Sequence, residues 1–183
     1  MAAMSDDEAF LRSIMLHEDS VSDPRVVAMA ALRASGIPFQ EYDAADCPGL
    51  QWDGARIAIP SGYTPQDILH EICHWLVADE ARRPLAEYGL GPGFDCGDPD
   101  AAEDAALADD DLILDEECLA CLVQFSLSYR LGMATVPTLK NYSFLWQGEI
   151  SGLRAGSWRR FEDASRYSDV IDALVKATTA RIA

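Results

Sequence analysis

The chain has little histidine and little positive charge. Three of its 183 residues are His, and 14 Lys and Arg stand against 31 Asp and Glu, for a formal net charge of −17. A surface this acidic cannot neutralise phosphates, so neither nucleic acid nor an anionic membrane is an expected partner. A basic protein partner is allowed, although acidity also serves solubility. No apolar run approaches the length of a membrane span. Residues Met1 to Asp7 are small and acidic, with no basic region leading into a long apolar stretch, so no secretory signal is read there. The cysteines are odd in number, at Cys47, Cys73, Cys96, Cys118 and Cys121. Cys118-x-x-Cys121 has no second pair with which to complete a structural zinc knuckle. Acids crowd its upstream side, the opposite of what activates a thiol. The pair therefore reads as small core residues, and the whole as a reduced, cytoplasmic protein. No repeat and no linker divides the sequence, which suits one domain over residues 1–183.

Against this background stands His70-Glu71-Ile72-Cys73-His74, which spends two of the three histidines. Residues four apart share one face of a helix, so both imidazoles can point at one cation. Glu71 lies about 100° further round, placed to reach a water held by that cation and not to act as a third ligand. This is the physics of the His-Glu-x-x-His zinc signature, in which two His bind Zn²⁺ and the Glu takes a proton from the bound water. The helix itself is well signalled. Thr64 is a good N-cap, Pro65 fits the first turn, and Asp67 stands three residues after the cap. Ile68, Leu69, Ile72, Trp75 and Leu76 form an apolar back, and the histidines lie opposite between Cys73 and Val77. Such a helix belongs between two layers of a fold.

The remaining pattern is α+β and mostly helical. A short amphipathic helix is expected over Ala9 to His17, and a second from Asp23-Pro24 through Ala34, stopped by Gly36. Ile37 to Tyr42 and Ala55 to Ile59 read as strands, with turns at Cys47-Pro48-Gly49 and Asp53-Gly54. The expectation is a small antiparallel sheet just before the metal helix, either a structural hairpin or an edge able to pair with an extended peptide. Tyr88 to Phe94 is Gly-rich but lacks a phosphate-binding ending, and reads as a connector, wall or lid. A long helix is expected from about Leu112 to Leu131 with Gly132 as its stop, then helices over about 142–153 and 158–178.

A catalytic zinc site takes three ligands from the protein. The remaining His17 is far upstream, so the third ligand is expected to be a carboxylate or thiolate from the long helix, which offers Glu116, Glu117, Cys118 and Cys121. Glu117 is favoured, because Ala120 and Cys121 make its face small enough for a close approach to the metal helix. Glu116 and Cys121 remain the alternatives. His70-Glu71-x-x-His74 followed by Glu117-x-x-Ala120 resembles the gluzincin metallopeptidases, and the compact build is most similar to the ImmA/IrrE-type peptidases. The resemblance spans Ala55 to Leu131. It implies a zincin-like fold, a zinc cofactor, a protein or peptide substrate, Glu117 as third ligand and Glu71 as the catalytic base. Cys121 departs from the family, which usually has Asn or Asp there to steady a histidine, and the gap between the two helices is longer. Tyr142, Tyr129, Tyr88 and Arg130 are the candidate oxyanion donors. The alternative to an enzyme is a regulatory module that keeps the fold and docks a basic partner on its acidic face.

Overall fold

The N-cap signals act as their chemistry requires. The Asp23 side chain accepts the backbone N–H of Arg25 and Val26 at the head of α1 (Pro24–Ser35), and Gly36 closes that helix in the left-handed conformation. Thr64 and Asp67 form a reciprocal capping box on α2 (Pro65–Val77), with Pro65 in the first turn. The computed structural model describes residues 19–43, 46, 49–92, 96–108, 110–135 and 163–183. The helices expected over 9–17 and 142–153, together with Cys47 and Tyr142, lie outside the described residues.

Between α1 and α2 run β1 (Phe39–Tyr42) and β2 (Ile57–Pro60). They pair in parallel, with Phe39 opposite Ile57 and Tyr42 opposite Pro60. This corrects the antiparallel expectation. A hairpin needs a tight turn between its strands, whereas a parallel pair needs a crossover of a dozen or more residues, which the connection over 43–56 supplies. The Asp53-Gly54 turn does fold the chain back, but only into a single antiparallel bridge between Trp52 and Ile57. Ile57, Ala58 and Ile59 are all buried, the run of inward residues expected of a strand covered on both faces.

After α2 come a 3-10 turn at Ala86–Gly89, α3 (Pro99–Asp104), the long α4 (Asp110–Arg130) and α5 (Ser168–Ile182). The fold is thus mostly helical around one small sheet. α2 packs against α1 and α4, and α5 packs against α1 and α4 in turn. Ile68, Leu69 and Ile72 from α2 join Ala28 and Leu32 of α1 and Val123 and Leu127 of α4 in the core, all fully buried. α4 has almost no amphipathic asymmetry, as suits a helix covered on several sides. Just past its last residue stands Gly132 (φ 72°), where a Cβ would meet the Ser20 hydroxyl at 2.5 Å. Ser20 donates its N–H to the Gly132 carbonyl there (2.8 Å). Among the described residues, no helix is long and apolar enough to cross a membrane.

Candidate metal centre

The front of α2 faces α4. His70 Nε2 and His74 Nε2 lie 2.9 Å apart. Glu117, from the second turn of α4, brings one carboxylate oxygen to 3.6 Å from His70 Nε2 and the other to 3.4 Å from His74 Nε2. The three residues offer ligand atoms within 4.8 Å of one another. In a tetrahedral zinc site with ligand distances of about 2.0–2.1 Å, neighbouring donors are about 3.3 Å apart. The donor set and its spacing therefore fit a cation of that size. Both histidine side chains are nearly sealed, whereas that of Glu117 is 28% exposed, so the cluster opens to solvent on the Glu117 side.

His70 is held by a hydrogen-bond chain. Its Nδ1 stands 3.1 Å from Gln124 Oε1. Gln124 Nε2 donates to the Gln66 backbone carbonyl at 2.8 Å, an acceptor-only group, which fixes the amide orientation. Gln124 therefore presents its oxygen to His70, so His70 Nδ1 carries the proton and Nε2 keeps its lone pair. Ser128 donates to Gln66 Oε1 and Gln66 Nε2 donates to the Ala134 carbonyl, which ties the chain to both helices. Such outer partners fix the tautomer and orientation of a ligating imidazole.

His74 is held differently. Its Nδ1 is buried and finds no hydrogen-bond partner among the described residues. Instead its ring lies over that of Tyr88 (centroids 5.8 Å, 17° between planes), which stacks on Trp52 (5.2 Å, 5°). Glu87 and Tyr88 bring that ring in with left-handed backbone (φ 45° and 56°). The Glu87 carboxylate accepts the Gln51 N–H at 2.7 Å, and the Glu87 N–H is taken by the Trp52 carbonyl at 2.9 Å.

The electrostatics follow from burial and from the neighbouring carboxylates. Burial, helped by His74, pushes the His70 imidazole below its usual range against the pull of Glu117. Burial opposes charge on His74 too, but Glu117, Glu71 and Glu116 outweigh it and hold His74 up at about 9. Glu117 resists burial and stays well below the usual carboxylate range because His74 and His70 face it. Burial pushes the Glu71 carboxyl up to about 8, with Glu87, Glu117 and Asp67 adding to the rise and His74 opposing it. Two imidazole lone pairs and a carboxylate aimed at one point demand a positive charge there, either a proton or a cation.

The other sequence candidates go elsewhere. Glu116 points away from the cluster into a buried ion pair with Arg82. Cys118 and Cys121 are buried, and burial pushes the Cys121 thiol well above its ordinary range. Arg130 is engaged with the Ser168 carbonyl and hydroxyl and with Asp172, at the far end of α4. Tyr129 is 38% exposed. Tyr88 aims its hydroxyl at the Glu71 backbone carbonyl at 3.5 Å. Three residues that shape the site were not singled out from sequence, namely Gln124, Arg82 and Trp52. Gln124 carried a signal, because it stands two helical turns beyond Glu117 on the same face, a polar residue among Leu122, Val123 and Phe125.

Comparison of the chain with models of known protein families, with curated proteins and with solved structures finds no match.

Proposed function

We propose that the protein is a zinc-dependent hydrolase, a cytoplasmic peptidase of gluzincin type built on a minimal zincin-like fold. The observation that carries the reading is the convergence of His70, His74 and Glu117 on one point. These three residues would hold the ion. A bound zinc ion supplies Lewis acidity, polarising an amide carbonyl and lowering the pKa of water. Glu71 supplies the base, taking a proton from the attacking water and returning it to the leaving nitrogen. With its carboxyl raised to about 8 by burial, Glu71 is a strong enough base for this once a neighbouring cation favours its ionised form. Gln124 keeps the lone pair of His70 on the ligand side. Solvent reaches the Glu117 carboxylate, which supports approach of a protein or peptide chain from that side.

The test has two arms. Metal analysis of the purified protein should find about one zinc ion per chain, and a peptide-library assay should show cleavage that a chelator abolishes. Glu71→Gln should keep the metal and lose turnover by about 10²- to 10⁴-fold, the usual worth of general base catalysis. A protein that purifies without metal and takes none up, or a Glu71→Gln variant with full activity, would overturn the reading.

A further inference from the structure

Arg82 lies just past the end of α2 and is only 8% exposed. Its guanidinium donates in three directions. Nε reaches Asp79 Oδ2 (3.3 Å), Nη1 reaches the Tyr88 backbone carbonyl (3.2 Å), and Nη2 reaches Glu116 Oε2. Each acceptor adjoins a different part of the candidate centre. Asp79 opens the turn by which the chain leaves α2 after His74, and its Oδ1 also accepts the N–H groups of Ala81 and Arg82. Tyr88 lays its ring on His74. Glu116 is the residue before Glu117, about 100° round the same helical turn.

We infer that Arg82 is a positioning residue for the metal centre, setting His74 through Tyr88 and Glu117 through Glu116. The inference rests on the metal-centre reading above. Stability alone does not account for the arrangement. Burying two charges is expensive, and well-packed apolar residues of similar volume are often as stable or more so. Arg pairs best with a carboxylate through two parallel bonds. Here Arg82 uses only one Glu116 oxygen, and Oε1 is buried with no hydrogen-bond partner among the described residues. The second arm of the fork is spent on the Tyr88 carbonyl, within a segment whose left-handed backbone persists only where its surroundings hold it. One rigid planar group thus fixes the distance between that segment and α4. Lysine, a point charge on a flexible stem, could not hold three directions at once.

The experiment compares the full-length protein with Arg82→Lys, Arg82→Met and the double variant Arg82→Met/Glu116→Leu. Three quantities are measured on each: melting temperature without metal, zinc affinity by chelator competition, and the visible spectrum of the cobalt-loaded protein. Arg82→Met leaves the Glu116 charge buried alone and is expected to melt early. The double variant removes both charges and should recover the metal-free melting temperature. Its zinc affinity should nevertheless stay about 10- to 100-fold below that of the parent, as for lost outer-sphere partners elsewhere, with an altered cobalt spectrum. Arg82→Lys should fall between the two. Parental zinc affinity and an unchanged cobalt spectrum in the double variant would overturn the inference and leave the metal centre standing. Should the double variant not fold, parental affinity in Arg82→Lys overturns it equally. A parent that binds neither zinc nor cobalt removes the metal centre itself, and the inference with it.

Discussion

His70 and His74 stand one turn apart on the same helix, yet they are supported by unlike means. On the His70 side the support is directional. Gln124, Gln66 and Ser128 form a chain in which each polar atom has an assigned role, so the protonated nitrogen of His70 is decided before any ligand arrives. On the His74 side the support is a stack. Tyr88 and Trp52 fix the plane of the ring but say nothing about its protons, and Nδ1 has no hydrogen-bond partner among the described residues. A hydrogen bond selects a tautomer, whereas a stacked ring selects only a plane. His70 is therefore a ligand set in advance, and His74 is the position at which proton and metal compete.

The sharpest way to break this comparison is to remove the stack. Tyr88→Ala takes a ring that is 2% exposed from between Trp52 and His74. Deleting a buried aromatic ring costs about 3–5 kcal/mol, and thermal or urea unfolding should show a loss of that order. Zinc affinity should fall as well, since the Tyr88 ring lies along the face of His74. A variant with near-parental stability would show that the Trp52 and Tyr88 stack packs loosely and does not support His74.

Removing the hydrogen-bonded side should cost less in stability. Gln124→Leu preserves bulk but strips His70 Nδ1 and the Gln66 carbonyl of their partner. An unsatisfied buried polar group costs about 1–3 kcal/mol, and a lost outer-sphere partner weakens metal binding by about 10- to 100-fold. The two variants should also differ in kind. In the metal-free protein the ring-nitrogen chemical shifts of His70 should report a mixture of tautomers in Gln124→Leu and a single tautomer in Tyr88→Ala. A single His70 tautomer in both variants would erase the distinction between the two sides.

The contrast also explains what the sequence made legible. Thr64, Pro65 and Asp67, or Asp23 and Gly36, act within one turn of their own position, so the residues themselves announce the helix ends. The histidine pair is equally local. The direction of β1 against β2 is not, because it depends on how the chain over 43–56 travels, and a turn signal at Asp53-Gly54 suggests a reversal that reaches only as far as the Trp52 bridge. Gln124 is hidden for another reason. The residues of α4 show no preferred face, so Gln124 is marked only by its spacing of two turns from Glu117 and its apolar neighbours, a signal that means something only once Glu117 is taken as a ligand. Arg82 reads in sequence only as part of a break after the helix. Its three acceptors come from residues 79, 88 and 116, and only folding brings the last of them near.

A smaller effect separates proton from metal at His74. In the metal-free protein His74 is raised from the ordinary imidazole value of 6.5 to about 9, against burial and chiefly by Glu117. For a histidine with a raised folded pKa, the folded state binds the extra proton, so its contribution to stability is complete below about 6.5 and is lost as pH rises through about 9. Zinc must displace that proton. Apparent zinc affinity should therefore climb by about tenfold per pH unit over this window, since one proton is released per ion. His70, already pushed toward its neutral form by burial, adds no second proton. The rise in melting temperature on adding zinc should be larger at pH 8.5 than at pH 6.5. A rise that is independent of pH would mean that no proton sits between the two histidines.

The smallest expected effect comes from a single oxygen atom. Tyr88→Phe keeps the ring between Trp52 and His74 and deletes only the hydroxyl, whose contact with the Glu71 carbonyl is long at 3.5 Å. A typical hydrogen bond contributes about 0.5–1.5 kcal/mol net, and one at the limit of hydrogen-bonding distance contributes toward the bottom of that range. Zinc affinity should be unchanged, because a stack needs the ring and not its substituent. Turnover should be unchanged as well. The hydroxyl is buried against the backbone of α2, and a group that is to steady a developing oxyanion must stand about 2.7–3.1 Å from where that oxygen forms. Loss of turnover by about 10²-fold or more at full zinc occupancy would make Tyr88 the oxyanion donor after all. The same residue would then serve the site from both its face and its edge. Parental turnover in Tyr88→Phe beside the collapse of Tyr88→Ala would confine its role to the face, and the two histidines would differ as their surroundings indicate.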